Sequence, residues 1–218
     1  NKENKVKAMP VPTLPNKIEL EDFEQYLSDI TKVPIGLVKK NLNVYMYNFL
    51  SHFVTVISAK QLKDCVQFIT YVFEELKQLP NVEVKILDAE KSKNNLKKAY
   101  NDFQKEIKND IKNNTEKFIL YTIIGIDNFT SEDIIDEFKF NELLEKVKNT
   151  GRQSFVILEN PDKLEGHTYD EWYTNYINAD TGIWIGNGIE NQTLITTNFS
   201  ISGLENNCGN SYGYVVEE

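Results

Sequence analysis

The sequence predicts one α/β domain, a mostly parallel β-sheet with helices on both faces. Short runs rich in β-branched and aromatic residues alternate with longer stretches whose apolar residues recur every three or four positions. One run, Phe118 to Ile126, is almost continuously apolar, the pattern of a strand buried on both faces. Strands alternating with helices imply right-handed crossovers between parallel neighbours.

Residues 1–34 hold four of the six prolines (Pro10, Pro12, Pro15, Pro34). Proline removes a donor and fixes φ, so this segment reads as an extended arm, in which a short helix from Ile18 to Ile30 is allowed. The domain proper spans residues 35–218. Val44 to Phe49 and His52 to Ile57 read as strands. Leu62, Cys65, Val66, Ile69, Val72, Phe73 and Leu76 form one apolar helix face, which Pro80 and Asn81 terminate. Val82 to Leu87 is the next core strand, followed by a Lys-rich helix carrying Leu96, Ala99, Tyr100, Phe103, Ile107 and Ile111. After the Phe118–Ile126 strand come a helix around Glu132 to Lys148, a strand from Ser154 to Leu158, and an aromatic helix near Tyr169 to Ile177. Strands near Gly182 to Ile185 and Tyr212 to Val216 close the domain.

Composition excludes several classes of function. The 218 residues suffice for one generous domain, and 40% hydrophobic with 26% charged residues is ordinary for a globular protein. No stretch approaches the roughly 18 uninterrupted apolar residues of a membrane span, and Asn1-Lys2-Glu3-Asn4 does not open a signal peptide. A start without Met fits a segment of something longer. The net charge of −9 argues against a grip on nucleic acid, which needs a basic face. The lysines between Lys91 and Lys112 are interleaved with acids at helical spacing, as on a solvated face. Cys65 and Cys208 form no paired framework, which favours a reducing compartment, and neither they nor His52 and His167 have metal-site spacing.

In parallel sheets, ligands sit beyond the carboxyl ends of the strands. The residues emerging there are Ser58-Ala59-Lys60, Asp88, Asp127-Asn128 and Glu159-Asn160.

Pro34-Ile35-Gly36-Leu37, the strand pair after it, the strand-to-helix turn, the strand ending Ile126-Asp127 and Gly151-Arg152 before another strand together resemble the FtsK/SpoIIIE-type ATPases. Asp180-Thr181-Gly182-Ile183-Trp184-Ile185-Gly186-Asn187-Gly188, with Gln192 and Gly213-Tyr214-Val215-Val216, is similar to the last ATPase domain of the EssC (EccC-like) coupling proteins of type VII secretion. The resemblance covers most of residues 33–218. It implies a P-loop NTPase (RecA-like) fold at the cytoplasmic face of the cell membrane, within a larger membrane-anchored protein. The partners it implies are preceding ATPase domains of the same chain, ring neighbours, and secreted substrates: small helical proteins of the WXG type and larger effectors.

An active P-loop needs Gly-x-x-x-x-Gly-Lys-Ser/Thr, because successive backbone N–H groups must turn inward around phosphate, and glycine adopts the necessary φ angles cheaply. Aligned here, Ile57 and Leu62 take the glycine positions and Lys63 and Asp64 close the motif; no glycine lies between Gly36 and Gly125. Ser58-Ala59-Lys60-Gln61 reads instead as a capping box, with Ser58 as N-cap. That register would set Lys63 more than one turn inside the helix. Asp64 replaces the hydroxyl that would hold magnesium. Lys60 and Lys63 are expected to be solvent-exposed.

Asp127 has two readings: a Walker B carboxylate ordering magnesium-bound water, or an N-cap or turn aspartate. Asn128 stands where active relatives carry an acid, and it can orient water but not take a proton. Asn160 reads as a turn residue or a sensor-like polar group. Arg152 is either a cross-ring partner for a neighbour's carboxylate or half of a local salt bridge. Gly186-Asn187-Gly188 is a turn. No tightly bound cofactor is expected, and any MgATP binding would be weak. The leading expectation is a regulatory, substrate-engaging ATPase-like module with little or no hydrolysis of its own. The alternatives are a motor domain active only in an assembled ring, and a protein-interaction module with a vestigial nucleotide site.

Overall fold

In the computed structural model, which describes residues 22–197 and 211–217, a 3-10 turn, Glu24–Tyr26, precedes the first strand. The part of the Ile18–Ile30 segment before residue 22 lies outside the described residues. Strands β1 (Val33–Leu37) and β2 (Val44–Tyr47) form an antiparallel hairpin apart from the main sheet. The main sheet then accumulates: β3 (Val54–Ala59), helix α1 (Leu62–Leu76), β4 (Val82–Asp88), α2 (Leu96–Asn113), β5 (Phe118–Ile124), α3 (Asp127–Thr130), α4 (Glu137–Lys148), β6 (Gln153–Leu158), α5 (Pro161–Glu165), α6 (Glu171–Tyr176), β7 (Gly182–Ile185) and β8 (Gly213–Val216). Its order is β4-β5-β6-β3-β7-β8, parallel throughout except for the antiparallel last pair.

The period-2 geometry of a strand divides its side chains between two cores. Ile119, Tyr121 and Ile123 of β5 face one core with Phe103, Phe129, Phe140 and Trp172, whereas Leu120 and Ile124 face the other with Ile69, Val72 and Leu76 of α1. β6 divides likewise, Phe155 and Ile157 against Val156 and Leu158. That is why Phe118–Ile124 reads as a continuous apolar run. On α1, the buried Cys65, Ile69, Val72, Phe73 and Leu76 follow the helical period, and each large side chain contributes about 1.5–3 kcal/mol by burial.

Local chemistry sets several boundaries. Asn95 caps α2 through its side chain to Lys98 N, and α2 ends on left-handed Asn114. Asp136 caps α4 through Lys139 N, so that helix starts at Glu137 rather than near Glu132. Asn160, for which the sequence allows a turn or a sensor-like polar group, is the N-cap of α5, and Pro161 is its first residue. The strand expected to reach Ile126 stops at Ile124, because Gly125 turns the chain with φ +74°. β2 stops at Tyr47 and pairs with β1 alone.

Ser58 is a further correction. It is no N-cap but lies inside β3, which runs on to Ala59 because Ser58 and Ala59 pair with Trp184 and Ile185 of β7. Gln61 is the N-cap residue of α1 and makes no side-chain capping bond. Lys63 consequently sits in the first turn of α1, not beyond it.

Candidate functional site

The carboxyl ends of β3, β5 and β6 meet at one buried acid. Glu159, directly after β6, is 1% exposed. Its Oε1 accepts the Asn160 N–H at 2.8 Å and its Oε2 the Asp127 N–H at 3.1 Å. Burial pushes its carboxyl above the usual range, and the two N–H bonds oppose that shift. Ser58 Oγ donates to the Glu159 carbonyl at 2.7 Å, and Asn160 Nδ2 donates to the Lys60 carbonyl at 3.1 Å. One acid and one amide therefore tie three strand ends together.

Asp127 opens α3 beside this knot. Its Oδ2 lies 3.3 Å from Lys163 Nζ of α5, and its Oδ1 lies 3.6 Å from His167 Nε2. His167 Nδ1 is 2.7 Å from Asp170 Oδ2, its Nε2 is 3.1 Å from Thr130 Oγ1, and its ring packs on Trp172. Trp172 Nε1 donates to the same Asp170 oxygen at 3.2 Å. Asp127, Thr130, His167, Asp170 and Trp172 border a cleft of about 500 Å³ together with Ser131, Ile135 and Glu137. Asn128 is turned inward, its Nδ2 donating to the Gly125 carbonyl at 3.2 Å.

The other sequence candidates divide. Lys60 and Lys63 are exposed, as the sequence suggested. The chain crosses from β3 to α1 through two residues only, Lys60 and Gln61. Lys60 lies against Gly188, where a Cβ would come within 2.2 Å of its Cε. Asp64 occupies the first turn of α1. Arg152 does not join the cluster. It precedes β6, at the opposite end of the sheet, is exposed, and donates from Nη1 to the Glu116 carbonyl at 2.9 Å. The described residues give it a main-chain partner in place of a local salt bridge.

The sequence reading assigned no role to Glu159, Lys163, His167, Asp170 or Trp172. Glu159 stands directly after a strand in the sequence, but no motif surrounds it. The other four depend on α5 and α6 folding back over α3, and their spacing carries no motif. Among the described residues, no group of three His, Cys, Asp or Glu side chains converges as a metal site.

A six-stranded, mostly parallel sheet flanked by helices, with polar residues gathered at its carboxyl ends, defines the class as an α/β fold built on a mostly parallel sheet. No protein-family model matches the sequence, and no curated protein is similar to it. Solved structures specify the fold further. The cytoplasmic domain of EssC superposes with a TM-score of 0.73 at 13% identity, covering 95% of this chain and 46% of that one. ATPases 2 and 3 of EssC from Geobacillus thermodenitrificans give 0.68 at 12% identity, over 95% and 45% of the two chains. ATPases 2 and 3 of Thermomonospora curvata EccC, in complex with a signal sequence peptide, give 0.59 at 13% identity, over 87% and 40%. The chain thus has the fold of the EssC and EccC ATPase domains and spans about half the length of the two EssC structures. No helix among the described residues is long and apolar enough to cross a membrane.

Proposed function

We propose that this chain is the C-terminal ATPase-like domain of a type VII secretion coupling protein, with a degenerate Walker A segment and little or no ATP hydrolysis of its own. It serves the export machinery by engaging secreted substrates and the preceding ATPase domains, at the cytoplasmic face of a membrane-anchored assembly. The fold shared with EssC and EccC supports the setting, and the signal sequence peptide bound to the T. curvata protein supports substrate engagement.

The observation that carries the reading is the β3–α1 junction. A phosphate cradle needs several consecutive backbone N–H groups curling inward, and two residues between an extended strand and a helix supply no such curve. The strand end is also held straight by its pairing with β7 and by Ser58 Oγ on the Glu159 carbonyl. Magnesium fares no better. Asp127 already faces two cationic or cation-capable groups, Lys163 and His167, and Asp64 adds negative charge where a triphosphate would sit. The residues present do not fit MgATP, and no hydrolytic step is assigned to them.

Isothermal titration of the chain with MgATP tests this. The expected result is no saturable heat up to roughly 1 mM nucleotide, equivalent to binding weaker than about 4 kcal/mol. Micromolar affinity with steady phosphate release would overturn it.

A further inference from the structure

Away from the strand ends, α2 and α4 enclose a groove of about 370 Å³. Gln104, Lys108 and Ile111 line it from α2, and Lys139, Glu142, Leu143 and Lys146 from α4. Each set recurs at three- and four-residue spacing, so each is one helix stripe. Ile111 and Leu143 supply an apolar floor, and the lysines stand on the walls.

The charge here runs against the rest of the chain. Overall, 33 acidic residues outnumber 24 basic ones, yet three lysines and a single glutamate line this groove. Lys139 is engaged by Asp136 at 2.8 Å. Lys108 and Lys146 have no carboxylate within ion-pairing distance among the described residues, whereas Lys98 and Lys105 on the same α2 helix are both engaged by Asp102. Two unpaired ammonium groups above an apolar floor are complementary to a ligand carrying carboxylates beside apolar anchors.

The geometry points to this groove as the docking site for an acidic amphipathic helix of a partner protein. Its apolar residues lie on Ile111 and Leu143, and its carboxylates meet Lys108 and Lys146. A cleft between two helices favours a third helix with anchors at i, i+3 and i+4 over an extended strand, because neither wall offers a free sheet edge. A nucleic acid would leave the apolar floor unused and would meet the field of a chain with net charge −9. The inference stands whether or not the strand-end site binds nucleotide.

The test uses the 15N-labelled 218-residue chain and a designed peptide of about four helical turns, with leucines at i, i+3, i+4 and i+7 and glutamates flanking them. Two control probes are a peptide of the same leucine pattern with lysines replacing the glutamates, and a short single-stranded oligonucleotide. The acidic peptide is expected to shift the amides of Lys108, Ile111, Leu143 and Lys146 saturably. Its affinity should fall roughly tenfold in the double variant K108E/K146E, which changes only exposed positions, and fall with added salt. Circular dichroism melting verifies that the variant remains folded. A second variant, Lys108→Gln with Lys146→Gln, should give an intermediate loss. Equal or tighter binding of the basic peptide, oligonucleotide binding at these amides, acidic-peptide shifts elsewhere, or no shift up to roughly 1 mM peptide would each overturn the proposal. MgATP titrated into the same sample reports separately on the nucleotide reading.

Discussion

Replacing Asp127 with alanine separates an internally neutralised aspartate from a working magnesium ligand. The loss can be sized from its partners. Lys163 is 47% exposed and Asp127 27%, with 3.3 Å between nitrogen and oxygen, so solvent screens the pair to about 0.2–1 kcal/mol. His167 stands 3.6 Å away, beyond good hydrogen-bond length, and keeps its closer contacts to Asp170 and Thr130. The Asp127 N–H bond to Glu159 belongs to the main chain and survives the substitution. Asp127→Ala should therefore cost at most about 1 kcal/mol, or about 2–4 °C in Tm for a domain of this size. MgATP behaviour should not change. Differential scanning calorimetry with isothermal titration reads both quantities, and a cycle with Lys163→Met should return a coupling within the same ~0.2–1 kcal/mol. Saturable MgATP heat in the parent that Asp127→Ala abolishes, with an unchanged Tm, would refute the reasoning.

Glu75 of α1 is buried, and neither carboxylate oxygen has a hydrogen-bond partner. Burial raises its pKa, so its contribution to stability is full below the unfolded-state pKa and is lost as pH rises through the folded one. Glu75→Met should thus stabilise the protein at pH 8 by about 1–3 kcal/mol and flatten the decline expected in urea melts as pH rises, leaving the slope of the same sign due to Glu159. An unaltered slope would count against it. Gly125 has φ +74°, and a Cβ there would lie 3.0 Å from Asn128 Nδ2 and 3.2 Å from Ala89 Cβ. Gly125→Ala should destabilise by about 1–3 kcal/mol in chemical denaturation.

What could be read from the sequence was what one element decides alone. The α1 face from Cys65 to Leu76 and the run from Phe118 to Ile124 declared their partners through period and apolar content, and the alternation of elements led to the parallel sheet. Boundaries set by neighbours were hidden. Ser58-Ala59-Lys60-Gln61 satisfies a capping-box pattern, yet the pairing of Ser58 with Trp184, 126 positions along the numbering, keeps the segment extended. Such a pairing outweighs a cap worth about 1 kcal/mol. The cluster around Asp127 was half hidden for a similar reason. Asp127 stood at a strand end, where chemistry is sought, but Lys163 and His167 reach it only because Asn160-Pro161 starts a helix where the sequence allowed a turn.

The same long-range pairing argues that the phosphate cradle cannot be recovered by restoring its residues. Ile57 is 0% exposed, and its β-partners are Leu158 on one side and Ile183 on the other. Glycine there would empty a core position at a cost of about 2–5 kcal/mol, before any N–H group turned. To curl, the chain must also break the Ser58–Trp184 and Ala59–Ile185 pairings and the bonds from Ser58 to the Glu159 carbonyl and from Asn160 to the Lys60 carbonyl. A triple variant, Ile57→Gly, Leu62→Gly and Asp64→Thr, which completes the motif on paper, should lose several degrees of Tm and still show no saturable MgATP heat. Leu62→Gly with Asp64→Thr alone, which keeps the fully buried Ile57 and removes only the partly buried Leu62, should behave like the parent in the same titration. If either variant bound MgATP at micromolar concentration, side-chain identity and not sheet pairing would be what closes this site to phosphate.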